Sequence, residues 1–217
     1  MKTVVILGMH RSGSTATMGL LRALDIHIGR DRDFVDSNKW NPKGYLEIKE
    51  FLLFEIKILH NSGGSWKNIV PEKKALTTFN RFKPVYMYLL KKYGKEPMWS
   101  YKAVRAGLYP ESLLNCPNLH LIISYRNPTA VTASLAKRNG LTKIESLELW
   151  SEYYYRIFKF VAKYNIPYLL IEYDDIIDST ECSMRKVAKF LDIEINQTHI
   201  TKGEKWIDSR LRHYRKK

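Results

Sequence analysis

Short apolar runs alternate along this chain with longer stretches in which apolar residues recur at helical spacing, the pattern of a parallel sheet covered by helices on both faces. Val4 to Leu7 is a continuous β-branched run and predicts a strand buried on both sides. After the loop Gly8 to Ser14, the segment Thr15 to Leu24 carries apolar residues at helical spacing, so a helix starts near Ser14. Residues 30–45 are polar and contain Asn41-Pro42-Lys43-Gly44, a loop, whereas Leu46 to Leu59 predicts a helix that ends before Gly63-Gly64. Glu72 to Tyr93 reads as a long basic helix in which Pro84 is the place for a break, and Gly94 to Pro97 ends it. Further strands are predicted at Met98 to Val104, Leu119 to Ser124 and Tyr168 to Ile171. Helices are predicted from Pro128 to about Lys137, from Ile144 to Lys163, and from Ser179 to Leu191 with Ser179 as its cap. With no repeat and no Gly/Ser linker, residues 1–217 form a single α/β domain with a basic C-terminal tail over about 210–217.

Composition narrows the class. A hydrophobic share of 45% and a charged share of 27% describe a folded globule and exclude a disordered, collagenous or disulfide-framework chain. Thirty-six Lys and Arg against 22 Asp and Glu give a net charge of +14, which predicts attraction to an anion: a phosphorylated cofactor, an acidic glycan, nucleic acid or a membrane surface. Cys116 and Cys182 stand alone, without metal-ligand spacing, and read as reduced thiols. The first apolar run breaks off at Gly8, too early for an export signal, and no stretch approaches the roughly 20 apolar residues of a membrane span. The expectation is a cytoplasmic protein.

The loop Gly8-Met9-His10-Arg11-Ser12-Gly13-Ser14-Thr15 joins a buried strand to a helix, the context that turns a Gly pattern into a phosphate site. Gly8 and Gly13 let the main chain curl so that its amides converge, and the helix start adds partial positive charge. The spacing of these glycines is that of the nucleotide-binding P-loop, GxxxxGK[ST], but Ser14 holds the place of the lysine. A nucleoside-triphosphate enzyme uses that lysine on its β- and γ-phosphates beside Mg²⁺, so this loop suits a ligand of lower charge.

Arg11 followed by Ser12-Gly13-Ser14-Thr15 resembles the 5′-phosphosulfate loop of sulfotransferases that use 3′-phosphoadenosine 5′-phosphosulfate. A second segment, Arg126-Asn127-Pro128 at a strand end with Ser134 eight residues after the arginine, is similar to the 3′-phosphate motif of the same family. Asn41 to Glu47, Gly63 to Trp66 and Trp206 to His213 resemble further segments of the bacterial and phage members. Lys102 to Arg105 is similar to their Lys-Asp-Pro-Arg, with Ala103 and Val104 in place of Asp and Pro. The resemblance implies a three-layer, P-loop-like sandwich and metal-independent transfer of sulfonate from that nucleotide to an acceptor hydroxyl, on a carbohydrate or other small molecule.

On this reading His10, Arg11, Ser12, Gly13, Ser14 and Thr15 would hold the phosphosulfate, Arg126 and Ser134 the 3′-phosphate, and Lys202-Gly203 a late segment that closes over the nucleotide. Arg11 and Lys102 are candidate stabilisers of the reacting oxygens, although a lysine at a strand end is as often simply solvated. Glu47 leads as general base because the family segment ends in this acid, with His60 as the alternative. A glutamate opening a helix also fits plain dipole stabilisation, and a histidine at a helix end fits capping. The competing enzyme class is a degenerate P-loop kinase with Thr15 and Asp174-Asp175 around Mg²⁺; the competing non-enzyme class is a basic nucleic-acid-binding module.

Overall fold

The computed structural model describes residues 1–211, so Arg212 to Lys217, most of the predicted basic tail, lie outside the described residues. Four parallel strands, β1 (Lys2–Gly8), β2 (Met98–Lys102), β3 (Leu119–Tyr125) and β4 (Tyr168–Glu172), form one sheet in the order β2-β1-β3-β4. The central strand β1 has four consecutive residues, Val4 to Leu7, at 0% exposure, which requires cover on both faces. The edge strand β4 keeps only Ile171 buried, and its composition accordingly mixes Tyr and Glu with Leu and Ile.

Among the described residues eight α-helices surround the sheet: α1 (Ser14–Ala23), α2 (Lys49–Asn61), α3 (Glu72–Tyr93), α4 (Pro128–Asn139), α5 (Lys143–Tyr164), α6 (Tyr173–Asp178), α7 (Thr180–Leu191) and α8 (Gln197–Trp206). One layer is α1, α6, α7 and α8, with α1 packed on β1 and α7 on β4; in the other, α2 packs on α3 and α4 on α5. Gly19 makes the α1–α8 contact possible, because a Cβ there would strike the Trp206 indole. On the β2 side an aromatic cluster carries the core: Phe51 stacks on Tyr101 at 4.3 Å and Tyr101 on Trp99 at 5.2 Å.

Several boundaries differ from those expected, each for a local reason. The second helix begins at Lys49, not Leu46, because Leu46 takes a left-handed φ of 49° and Ile48 is extended, bridged to Phe34. Strand β2 stops at Lys102 and the chain turns into a 3-10 helix at Arg105–Leu108. Helix α3 runs unbroken through Pro84; that residue and Asn80, whose carbonyl loses its helical donor, are both exposed, so water can replace the bond. Ser179 stands at the N-cap of α7 but makes no side-chain cap, whereas Thr142 caps α5 reciprocally with Glu145. Helices α6 and α8 carry little apolar periodicity, with only Ile176 buried in the first and only Ile200 and Gly203 in the second. No helix is long and apolar enough to cross a membrane among the described residues.

Candidate functional site at the carboxyl end of the sheet

Chain order places a crevice beside β1, because the chain moves from β1 to β2 on one side and then to β3 on the other. Register does the rest. Gly8 ends β1 opposite Ser124, two residues before Arg126, and Ile6 is level with Lys102 at the end of β2. Residues distant in the chain thus meet at one sheet edge.

The loop between β1 and α1 turns through left-handed φ at Arg11 (70°) and Gly13 (94°). A side chain at Gly13 would be strained by its φ and would meet the Tyr173 ring of α6. Helix α1 starts at the next residue with no side-chain cap and no acidic residue in its first turn. Ser14, Thr15 and Ala16 line the crevice, so the positive end of the α1 dipole lies beside it. Ser12 is fully buried beneath this loop, and its amide donates to the Met9 carbonyl at 3.2 Å.

The two sequence segments read as phosphate sites touch each other. Arg11 Nε donates to Ser134 Oγ of α4 at 2.8 Å. Arg126 is 4% exposed, its guanidinium lies 4.4 Å from the Tyr173 ring centroid, and Nη1 donates to the Arg11 carbonyl at 3.5 Å. Burial, and then the like charges of Arg138 and Arg126, lower the pKa of Arg11 from its ordinary value. Guanidiniums gathered this closely form a strong anion site.

Lys102 is no solvated strand-end lysine. It is 4% exposed; Nζ donates to Thr15 Oγ1 at 3.1 Å and to the Tyr45 carbonyl, and lies 3.4 Å from Glu47 Oε1. Burial lowers its pKa while the Glu47 carboxylate acts in the opposite direction. Glu47 precedes α2 rather than opening it, so helix-dipole stabilisation does not account for its position. The pair faces a cavity of about 950 Å³, mouth included, whose other walls are His10, the loop, Arg126, Arg138 and the segment Trp206 to Asp208. A smaller hollow of about 590 Å³ adjoins it at Arg11, Trp40 and Arg126 and adds Lys39, Ser134 and Lys137.

Four expected site residues line neither hollow: Ser12, fully buried within the loop, and three that lie elsewhere. His60 is exposed at the end of α2 and lines neither hollow. Lys202 lies in α8, donates to Asp25 Oδ1 at 2.7 Å and lines neither hollow. Gly203 is buried in the same helix against Met184. A regular helix packed on α1 and α7 cannot behave as a closing loop. Conversely, sequence reasoning passed over Arg138 and Tyr173. Arg138 follows Ser134 by one helical turn on α4, a spacing that could have revealed it, and donates to the Tyr45 hydroxyl at 3.2 Å. Tyr173 had no such signal, because α6 itself was not legible.

His10 sits between the loop and the body of the protein. Its ring packs 4.4 Å from Trp66 and 6.1 Å from Tyr153, and burial followed by Arg105, Arg138, Lys102 and Arg11 holds its pKa well below the usual value. His10 is therefore neutral at physiological pH. Among the described residues no group of three His, Cys, Asp or Glu side chains gathers as metal ligands.

An open parallel sheet and a curled loop between its first strand and the next helix, with Ser14 where a P-loop has its lysine, define a P-loop-like α/β protein. The family model described as “Sulfotransferase family” matches residues 3–197, and the chain belongs to that family. Among solved structures it is similar to the sulfotransferase domain from the Synechococcus PCC 7002 olefin synthase, at 16% identity over 99% of this chain and 83% of that one, with a TM-score of 0.58. It is also similar to sulfotransferase STF9 from Mycobacterium avium, at 15% identity over 94% of this chain and 67% of that one, TM-score 0.54. Sulfotransferase STF1 from Mycobacterium tuberculosis H37Rv matches at 11% identity over 93% and 70%, TM-score 0.56. These identities speak for a shared fold. No curated protein matches the chain by sequence. Family membership leaves the kinase and nucleic-acid readings without support.

Proposed function

We propose that the protein transfers sulfonate from 3′-phosphoadenosine 5′-phosphosulfate to an acceptor hydroxyl, on a carbohydrate or another small molecule, releasing adenosine 3′,5′-bisphosphate. The observation that carries this reading is the Arg11–Ser134 hydrogen bond of 2.8 Å, which joins an anion cradle to a second basic hollow. A nucleotide bearing anionic groups at both ends of its ribose needs two such sites side by side. The uncapped start of α1 and the buried Arg126 fit those groups without a metal ion.

In this reading the amides of Gly13 to Thr15, with Arg11, receive the charge that develops on the departing phosphate. Lys102 stands between Thr15 Oγ1 and Glu47, so its ammonium can follow the sulfonate oxygens during transfer. Glu47 accepts the acceptor's hydroxyl proton, and the Lys102 ammonium, 3.4 Å from Oε1, holds its carboxylate in place at the cavity wall. Trp40 and Tyr45 on the cavity wall suit stacking against a sugar or aromatic acceptor. Free Cys116 and Cys182 accord with action in the cytoplasm.

Calorimetric titration with adenosine 3′,5′-bisphosphate, followed by an acceptor screen with labelled sulfonate donor, tests the assignment. Saturable binding of the bisphosphate is expected, and no binding would refute it. Glu47→Gln should lower turnover by about 10²- to 10⁴-fold with bisphosphate affinity near wild type.

A further inference from the structure

Helix α4 serves both hollows of the site, with different residues in each. Ser134 and Lys137 line the smaller one, whereas Arg138, one turn after Ser134, lines only the larger cavity that holds Glu47 and Lys102. Arg138 thus stands in the chamber where transfer is proposed and outside the hollow read as the 3′-phosphate site. A cation in the last turn of a helix also suits the helix dipole, but the dipole does not require the side chain to reach across to Tyr45, as Arg138 does.

What Arg138 meets in the cavity leaves its charge unanswered. Nη2 donates to the Tyr45 hydroxyl at 3.2 Å, and that hydroxyl donates in turn to Asn38 Oδ1 at 3.0 Å, so both partners are neutral. Among the described residues Arg138 makes no ion pair with a carboxylate, in contrast to Lys102, whose ammonium lies 3.4 Å from Glu47 Oε1. The same wall carries the cations Arg11, Lys43, Lys102 and Arg126 against the acids Glu47 and Asp208, and Asp208 is engaged by Arg210 at 2.9 Å. After burial, the like charge of Arg138 lowers the pKa of Arg11, as an un-neutralised cation would. The side chain is half-buried, and most of its N–H groups remain open to a ligand in the cavity.

Tyr45 also sets the distance from this cation to the chemistry. The Arg138 guanidinium lies 5.7 Å and the Lys102 ammonium 5.8 Å from the centroid of its ring, so both border one side chain and a small molecule can span from one to the other. We propose that Arg138 selects the acceptor: its planar fork takes a carboxylate or sulfate group of the acceptor while the hydroxyl to be sulfonated lies at Glu47. The proposal rests on the sulfonate-transfer reading and narrows its acceptors to hydroxyl compounds that carry such an anionic group. The Tyr45 hydroxyl is a positioning group, since it holds the fork and not the anion.

The test uses the full chain saturated with adenosine 3′,5′-bisphosphate, with glucose, glucuronate and glucose 6-sulfate as calorimetric probes. At least one anionic sugar should bind about tenfold or more tighter than glucose, and the tighter of the two identifies the group that Arg138 takes. Arg138→Gln should weaken that sugar by about 10- to 10²-fold, the range for charge-assisted hydrogen bonds, and bring it close to glucose. Bisphosphate affinity in this variant should stay within about twofold of wild type, which also shows that the variant is folded. Arg138→Lys, which keeps the charge and loses the fork, should lose less, and Tyr45→Phe, which removes only the positioning hydroxyl, less again. No saturation by either anionic sugar, equal binding of glucose, or unchanged affinities in Arg138→Gln each overturns the assignment. A loss of bisphosphate affinity of about tenfold in Arg138→Gln would put Arg138 on the nucleotide and overturn it as well. A wild-type chain that fails to bind the bisphosphate defeats the nucleotide reading and this assignment together, whereas bisphosphate binding with no preference for the anionic sugars defeats this assignment alone.

Discussion

The loop Gly8 to Thr15 and helix α8 both set a basic residue near a glycine, Arg11 near Gly13 in one and Lys202 beside Gly203 in the other. They use that pairing in opposite ways. Gly13 has a φ of 94° and turns the chain into a loop whose Arg11, Ser14 and Thr15 line the crevice. Gly203 lies within a helix, buried against Met184, and Lys202 is directed to Asp25. A glycine at a helix start shapes a turn through its dihedral freedom, while a glycine inside a packed helix brings two helices together through its lack of a side chain. The chemistry of the neighbouring cation follows from that difference.

Substitutions can break this contrast. Gly13→Ala should have the largest effect, since a left-handed φ and the Tyr173 ring both oppose a Cβ; displacing the cradle by an ångström costs about 10²-fold in turnover. Arg126→Ala should weaken adenosine 3′,5′-bisphosphate by about 10- to 10²-fold in calorimetry, the range for charge-assisted hydrogen bonds, and an unchanged affinity would remove Arg126 from the nucleotide site. Gly203→Ala should instead lower stability by about 1–3 kcal/mol in denaturant unfolding through overpacking on Met184, with bisphosphate affinity preserved. Lys202→Ala should change that affinity by less than about twofold, because the Asp25 pair it breaks is exposed. A large loss there would return α8 to the binding site.

A fifth measurement addresses the buried acid behind the crevice. The Glu55 pKa is raised to about 8, well above its unfolded value, so the folded state retains a proton that the unfolded chain releases. That preference is fully present below the usual carboxylate range and is lost as pH rises towards 8. The thermal midpoint of wild type should therefore fall relative to Glu55→Gln between about pH 5 and pH 8. A constant gap across that range would show that Glu55 is ionised throughout.

Local physics made the first strand–loop–helix unit and the sheet legible in the amino-acid order. Val4 to Leu7 is apolar enough to require burial on both faces, and a loop of Gly8, Arg11, Ser12 and Gly13 before a helix start has few uses besides holding an anion. Asn127 and Pro128 likewise announce α4 by themselves, since the cap and the first-turn proline act within a few residues. Other assignments depended on contacts that no local pattern encodes. Whether Lys102 is solvated or buried was decided by Glu47, Thr15 and Tyr45 arriving from elsewhere in the chain, and His60 was left outside because the packing of α2 leaves its last turn exposed, away from both hollows. Lys202 could be either phosphate ligand or surface cation until the fold set Asp25 within 2.7 Å of it. Periodicity and turn chemistry are short-range and survive in a string of letters, whereas burial and charge pairing are properties of the space between segments, and only packing creates that space.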